Sequence, residues 1–360
     1  MMLSAPSVPA NTTAGVRCFH AEELANRLPH LEKWLHSDKP TPLSRHPRWL
    51  NVLEQSLGHS VYMLEAFDGD KTTGILPLAF VHSYLFGRYL VSLPYLNSNG
   101  VVADDETVRQ RLIDRAALLA DELDVRHMEL RHEKAVEHPA LNARMDSKVH
   151  MRLQLPDFPG PLWEQFPAKV RNQVRKGEKS GLNIVWGGDE LLDDFYSVFS
   201  RNMRDLGTPV YGRSLFAGIL EHFSKEAELC VLRSEKTPVA GALLLHGRGV
   251  TEVPSASSLR EFNSTCANML MYWNLLERAV QRGQAVFDFG RSTVEGGTYQ
   301  FKKQWGARPE PAVWQYYVRD GDAREMRPDN PRYQRLIRIW QRLPVRLTRW
   351  IGPRIVRGIP

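Results

Sequence analysis

The sequence predicts an α/β (α+β layered) fold of two tandem, similarly built units followed by a basic amphipathic helical tail. Three observations predict it. The order helix, hairpin, strand, long helix, strand occurs twice along the chain, which suits layered α/β units and an internal repeat. The hairpins of the two copies share a pattern, Gly74-Ile-Leu-Pro-Leu78 and Gly241-Ala-Leu-Leu-Leu245. Residues 331–360 hold eight arginines and no acid. A chain of 360 residues is also too long for one ordinary core.

In the first unit a strand is expected over residues 16–19 and a helix over 22–35. Pro47 suits the start of a second helix and Gly58 its end. Strand-like runs over 61–67 and 74–81 flank Asp68-Gly69-Asp70, a turn sequence, and predict a hairpin. A strand over 89–93 leads into the polar loop 94–100. Val108, Leu112, Ala116 and Leu119 recur at helical spacing and predict a helix over 106–123. A strand over 126–130 closes the unit.

The second unit opens with a strand over 151–155 and a basic helix, Pro167-Ala-Lys-Val-Arg-Asn-Gln-Val-Arg-Lys-Gly-Glu-Lys-Ser-Gly181. Helices over 190–206 and 215–223 follow. A hairpin is expected from 228–233 and 239–246, then a strand over 251–256, a helix over 266–282 and a strand over 285–289. The expected divisions are an arm at 1–14, units at 15–148 and 149–325, and the tail at 326–360.

Composition narrows the function. Cys18, Cys230 and Cys266 are odd in number and far apart, which makes no disulfide framework or metal-ligand spacing and suits a cytoplasmic setting. The first residues lack the basic and apolar regions of a signal peptide and read as a disordered arm. No apolar run approaches a membrane span. The formal charge is +6, but removing the eight tail arginines from 47 basic residues leaves 39 against 41 acids. The body is thus near −2, unlike a DNA-binding body. No Gly-x-Ser-x-Gly elbow, Walker loop or Cys/His cluster is present.

The most informative stretch is Phe287-Asp-Phe-Gly-Arg-Ser292 followed by Tyr299-Gln-Phe-Lys-Lys-Gln-Trp-Gly306. Cations flanked by aromatics beside a glycine turn can seat a carboxylate, a phosphate or a developing oxyanion. These segments, the basic helix 167–181, and Leu76-Pro-Leu78, Phe86-Gly87 and Ser92-Leu-Pro-Tyr-Leu-Asn97 together resemble the FemAB-like branch of the GNAT acyltransferases. The tail, from Asn330-Pro-Arg-Tyr to Ile351-Gly-Pro-Arg354, is similar to the subgroup associated with the exosortase/PEP-CTERM surface-protein and exopolysaccharide system. The resemblance covers most of residues 40–355 and implies two tandem GNAT-like domains.

It also implies an N-acyl or aminoacyl transferase acting on an amine of an envelope-related acceptor, a peptidoglycan or exopolysaccharide precursor. Alternatives are an acyl-CoA-dependent N-acyltransferase on a small amine, and a non-catalytic scaffold in exopolysaccharide assembly. No permanently bound cofactor is expected; acyl-CoA or aminoacyl-tRNA is the expected co-substrate. The common acyl-CoA loop is Gln/Arg-x-x-Gly-x-Gly/Ala, whereas this chain has Arg260-Glu-Phe-Asn-Ser-Thr-Cys-Ala267 and lacks the glycines. The family's splayed strands are expected at 239–246 and 251–256. Carried over from the family's phenylalanine-lysine pair, Phe301 and Lys302 mark the reaction site, with Lys302 catalytic. Tyr299, Lys303 and Trp305 are expected beside it, with Lys302 and Lys303 facing opposite ways on an extended segment.

Arg291, at a strand end after a glycine, is a binding candidate; the competing expectation is a salt bridge to Asp288 or Glu295. Arg171 and Arg175 are four apart on one helical face and suit a diphosphate or a nucleic-acid backbone. Tyr211 lies in a loop that can cover a cleft. Glu252, on the second of the splayed strands, is a general-base candidate against the competing expectation that a lone glutamate has no such role, and Asn97, Asn99 and Gly100 form a polar loop. In the tail, arginines at 332, 335, 338, 342, 346 and 349 and apolar residues Leu336, Trp340, Leu343, Leu347 and Trp350 form offset helical stripes, divided by Pro344. That pattern suits an anionic membrane surface and a peripheral location on the inner membrane; the competing expectation is a helix packed on the body.

Overall fold

The computed structural model describes residues 14–35, 40–83, 86–320 and 331–359. Residues 1–13 of the expected arm lie outside the described residues, and Ala14 already begins a strand. The first half runs β1 (Ala14–His20), α1 (Ala21–Leu35), α2 (Trp49–Leu57), β2 (Ser60–Asp68), β3 (Lys71–Ser83), β4 (Gly87–Val91), β5 (Val102–Ala103), α3 (Glu106–Glu122) and β6 (His127–His132). The second runs β7 (Ala143–Gln154), α4 (Pro159–Gln165), α5 (Ala168–Glu178), β8 (Leu182–Gly187), α6 (Leu192–Leu206), α7 (Arg213–His222), β9 (Ala227–Ser234), β10 (Thr237–His246), β11 (Val250–Ser258), α8 (Ala267–Gln281), β12 (Val286–Thr293), α9 (Gly297–Lys303) and β13 (Arg308–Val318). The tail forms α10 (Pro331–Trp340) and α11 (Val345–Val356), divided at Pro344 as its fixed φ dictates.

Local signals account for the element ends. The Asp105 side chain accepts the Val108 N–H and starts α3, and Gly58 ends α2 with φ +65. Along α3 the buried set Val108, Leu112, Ala116 and Leu119 faces the sheet. The run from Val239 to His246 is buried throughout because helices cover both faces of β10.

All strands join one sheet in the order β1-β2-β3-β4-β6-β13-β7-β12-β11-β10-β9-β8, with β5 beside β3. Read inward from either end, three antiparallel pairings lead to one parallel pairing, β4 with β6 or β11 with β12. The two halves therefore repeat one topology, the tandem GNAT-like arrangement that the sequence predicts. At the centre they exchange strands. β7 follows the first half in sequence but completes the second by pairing with β12; β13 comes last but completes the first by pairing with β6. Residue 148 falls inside β7.

One sheet face carries a core common to both halves, with Leu31, Leu50 and Ile75 from the first and Phe195, Phe216 and Leu243 from the second. The other face carries two separate cores, one under α3 and one under α5 and α8. The tail packs back across the halves. Gly352 of α11 lies against the Val210 backbone, Arg349 Nε donates to Ser200 Oγ at 2.7 Å, and Arg357 donates to Gly58 O at 3.0 Å.

Candidate active site

β11 and β12 are neighbours only over Val250–Glu252 and Val286–Asp288; beyond these they part. Both strands carry an extra residue at this level. Leu243 and Leu245 of β10 face Ser255 and Glu252, so β11 uses three steps where β10 uses two. His150 and Arg152 of β7 face Arg291 and Asp288, so β12 does the same. These are β-bulges, one around Val253-Pro254 and one around Phe289-Gly290, with Gly290 at φ +79. The expected gap between 239–246 and 251–256 is thus corrected: β10 and β11 stay paired, and the gap lies one strand over.

The bulge in β12 also re-aims Arg291. In an unbroken strand residues 287, 289 and 291 share a face. Phe287 and Phe289 enter the core under α8. The inserted residue moves Arg291 to the face of Asp288, where its guanidinium lies 3.2 Å from the centre of the Trp314 ring. Arg291 forms an ion pair with neither Asp288 nor Glu295; Asp288 instead accepts from Arg152 Nε at 2.9 Å and from its own strand's Gly290 N–H at 2.7 Å.

A cleft opens at the gap, lined by Ser44 and Asn97 from the first half and Glu252, Val253, Asp288 and Gly290 from the second. Glu252 is 9% exposed and accepts the Ser44 N–H at 2.8 Å. Burial and the neighbouring Asp288 carboxylate push its carboxyl up to about 7. Asn99 holds the Ser44 carbonyl at 2.6 Å, so the polar loop 94–100 positions the segment that caps Glu252.

Lys302 is 7% exposed, and its Nζ donates to Gly290 O at 3.0 Å and Arg291 O at 3.2 Å. An ammonium has three donors. One N–H therefore has no protein acceptor among the described residues. Burial lowers its pKa to about 8, with Asp288 opposing that shift. The expectation of an extended segment is corrected: Lys302 and Lys303 end the helix α9, and successive helical positions turn Lys302 inward and Lys303 into solvent.

The aromatics of the motif build the frame. Trp305 is fully buried and packs edge-on against Phe166 with ring centres 5.0 Å apart. Phe301 packs against Tyr272 at 4.9 Å, and Tyr299 borders the same core. These residues hold α9 against α8 and β12 and so position Lys302. Tyr211 is half-buried at the seam between halves, 5.5 Å from the Tyr95 ring. Arg171 and Arg175 sit on α5, with Arg175 exposed over Trp163. No hydrogen bond, ion pair or ring contact joins either arginine to Lys302 or Arg291 among the described residues. The segment Arg260–Thr265 that stands in the place of the glycine loop is a 3₁₀ turn leading into α8.

Reasoning from sequence missed the roles of Asp288 and Ser44 and the half-buried network in which Arg152 joins Asp288, Glu133 and Glu310. Asp288 stood inside the signature stretch, and its position between two buried phenylalanines was the signal that it faced the other side of the strand.

No group of side chains suited to a metal ion is present among the described residues. Residues 165–303 match the family model described as an acetyltransferase (GNAT) domain. Among solved structures the chain is similar to FemX, at 15% identity and TM-score 0.64, over 89% of this chain and all of that one. It is similar to the C-terminal domain of a candidate lysylphosphatidylglycerol synthetase from Agrobacterium fabrum, at 12% identity and TM-score 0.54, over 83% and 93% of the two chains. A tandem GNAT protein from the clavulanic acid biosynthesis pathway aligns at 12% identity and TM-score 0.53, over 85% and 99%. No match was found among curated proteins.

Proposed function

We propose that this chain is an acyltransferase that moves an acyl or aminoacyl group onto an amine of an envelope-related acceptor. The observation that carries the reading is the double-bulged gap between β11 and β12, with buried Glu252 lining it and buried Lys302 bonded to the carbonyl of the lining residue Gly290. A carboxylate with a pKa near 7 can take a proton from an attacking amine at neutral pH. The amine nitrogen bonds to the acyl carbon, its proton passes to Glu252, and the carbonyl oxygen gathers negative charge. The unshared N–H of Lys302 suits that oxyanion. The intermediate then collapses with loss of a thiolate or a ribose oxygen, which takes up the proton that Glu252 received and so restores the carboxylate.

The fold shared with FemX and the candidate lysylphosphatidylglycerol synthetase supports an envelope acceptor, and the tail's resemblance supports the finer placement in the exosortase/PEP-CTERM exopolysaccharide system. The missing glycine loop favours an aminoacyl-tRNA donor. The match to a GNAT acetyltransferase domain favours the second reading, an acyl-CoA donor. Thermal-shift and transfer assays with acyl-CoAs, aminoacyl-tRNA and nucleotide sugars separate them. Micromolar acetyl-CoA binding, abolished by changes in residues 260–267, would establish the acyl-CoA reading. Absence of any donor response and of any transfer would leave the scaffold reading.

The tail adds a surface for anionic lipid. Trp340 and Leu343 are half-buried, but Leu336 (59% exposed), Ile339 (51%) and Trp350 (61%) face solvent among exposed Arg335, Arg338, Arg342, Arg346 and Arg354. Packing on the body and a free apolar, cationic face thus coexist. The Arg332 side chain lies outside the described residues. No helix among the described residues is long and apolar enough to cross a membrane. Each surface arginine adds roughly 1 kcal/mol of attraction to anionic lipid. Co-sedimentation with phosphatidylglycerol vesicles is expected to fall on Trp350→Ala, on Arg338→Gln with Arg342→Gln, and with rising salt. Equal binding to neutral and anionic vesicles would defeat the assignment.

A further inference from the structure

Two guanidinium groups meet one ring at the centre of the sheet. Arg131 of β6 lies directly opposite Trp314 of β13, with its Cζ 4.0 Å from the ring centre. Arg291 reaches the same ring from the other half, at 3.2 Å. Their circumstances differ. Arg131 donates to Glu129 Oε1 at 2.7 Å and to Leu96 O at 2.6 Å, so its charge is matched and two of its donors are engaged. The Arg291 side chain has no hydrogen bond and no ion pair among the described residues, and its Nε is fully buried without a partner. Burial and the nearby Arg131 lower its pKa to about 9, with Glu129 opposing. Glu129, the carboxylate near it, is already paired with Arg131, and a half-buried cation left with no bonded partner is a place where a ligand can supply the charge.

The position is specific. The backbone carbonyl of Arg291 accepts from Lys302 Nζ. The Trp314 Nε1 donates to Asn97 O at 3.2 Å, and the Asn97 side chain lies against Gly290 beside the cleft. Arg291 therefore adjoins the β12 carbonyls that hold Lys302, and its side chain projects to the ring contributed by β13, the strand that completes the first half. The Tyr211 phenol, kept neutral by burial, is a further neighbour in the opposing loop.

Resting on the transferase reading, we infer that Arg291, backed by Arg131 across Trp314, seats an oxyanion of the acceptor substrate. The acceptor is then an amine that also carries a carboxylate or a phosphate close by, and a plain alkylamine is a poor substrate. The planar guanidinium can meet either oxyanion with paired N–H donors. The bulge in β12 is what makes the seat, because without the extra residue Arg291 would enter the core under α8.

The test uses the full chain, with thermal stability and calorimetry in acetate, in inorganic phosphate and in chloride matched for ionic strength. One of the first two is expected to stabilise the protein saturably beyond chloride. A response to acetate alone assigns a carboxylate, and one to phosphate alone assigns a phosphate. Arg291→Met is expected to weaken that binding at least tenfold while melting no lower than wild type, because it removes a half-buried charge whose buried Nε has no partner. Should Arg291→Met fail to fold, Arg291→Lys provides the comparison, with weaker binding expected from loss of the paired donors. Lys302→Met is expected to keep the anion response. An undiminished response in the Arg291 variants, or no response beyond chloride in wild type, overturns the seat. So does a lower melting temperature in Arg291→Met with its anion response intact, which would make the arginine a packing residue. If the anion response depends on Arg291 but no donor supports transfer, the transferase reading falls and the anion seat stands.

Discussion

Turnover of Lys302→Met is expected to fall about 10²-fold or more while substrate affinity stays nearly unchanged. Lys302 is held by two backbone carbonyls of the very strand that opens the gap, so its charge is fixed before substrate arrives. A pre-positioned charge acts most strongly where charge develops, in the transition state. Methionine keeps the length and apolar stem, and melting behaviour checks that the fold survives the loss of two hydrogen bonds. Lys303→Met is expected to do far less, because that side chain is exposed on the neighbouring helical position. Steady-state kinetics of the two variants decide. A folded Lys302→Met with full kcat, or with a defect confined to KM, removes the residue from the chemical step. A loss at Lys303 alone would show that the wrong face of α9 was chosen.

Glu252→Gln is expected to reduce kcat by about 10²-fold or more and to change the shape of the pH profile. The base works ionised, so the wild-type rate rises as pH climbs through about 7. It falls again as Lys302 loses its proton above about 8. Glutamine removes the rising limb and leaves the falling one. Stability moves in the opposite sense. A carboxyl whose folded-state pKa lies above its unfolded value opposes folding once it ionises. The opposition is absent below about pH 4, grows between about 4 and 7, and is complete above, at about 3 kcal/mol. The variant should therefore gain on wild type in melting temperature between pH 5 and pH 8. An unaltered pH–rate profile in Glu252→Gln would assign the base elsewhere.

The periodic elements were legible in the sequence because their causes are local. The α3 stripe, the paired hairpins and the break at Pro344 each follow from residues a few positions apart. The site was legible only as a list of residue types. The gap was assigned to β10 and β11 because a hairpin is the nearest pairing in sequence, whereas the strands that part belong to a parallel pair joined through α8. The environment of Glu252 depends on a donor at Ser44, 208 residues away. α9 read as extended because its seven residues are too few to display a helical period. β13 was missed because Pro309 and Pro311 argue against a strand, yet both sit at the end where β13 meets β7.

The strand exchange at the centre of the sheet has a consequence for how the chain is made. β6 obtains its antiparallel neighbour only from β13, so the first half stays one strand short until residue 318 has left the ribosome. β7, which emerges directly after the first half, must leave the free edge of β6 open and wait for β12 instead. Vectorial synthesis thus delivers an unfinished sheet whose open edge carries Arg131 and Glu129. The last strand closes that edge and brings Trp314 to Arg131 in the same movement. A nascent chain stalled before residue 308 has neither a complete first half nor the ring on which Arg291 rests, so assembly of the centre waits for β13.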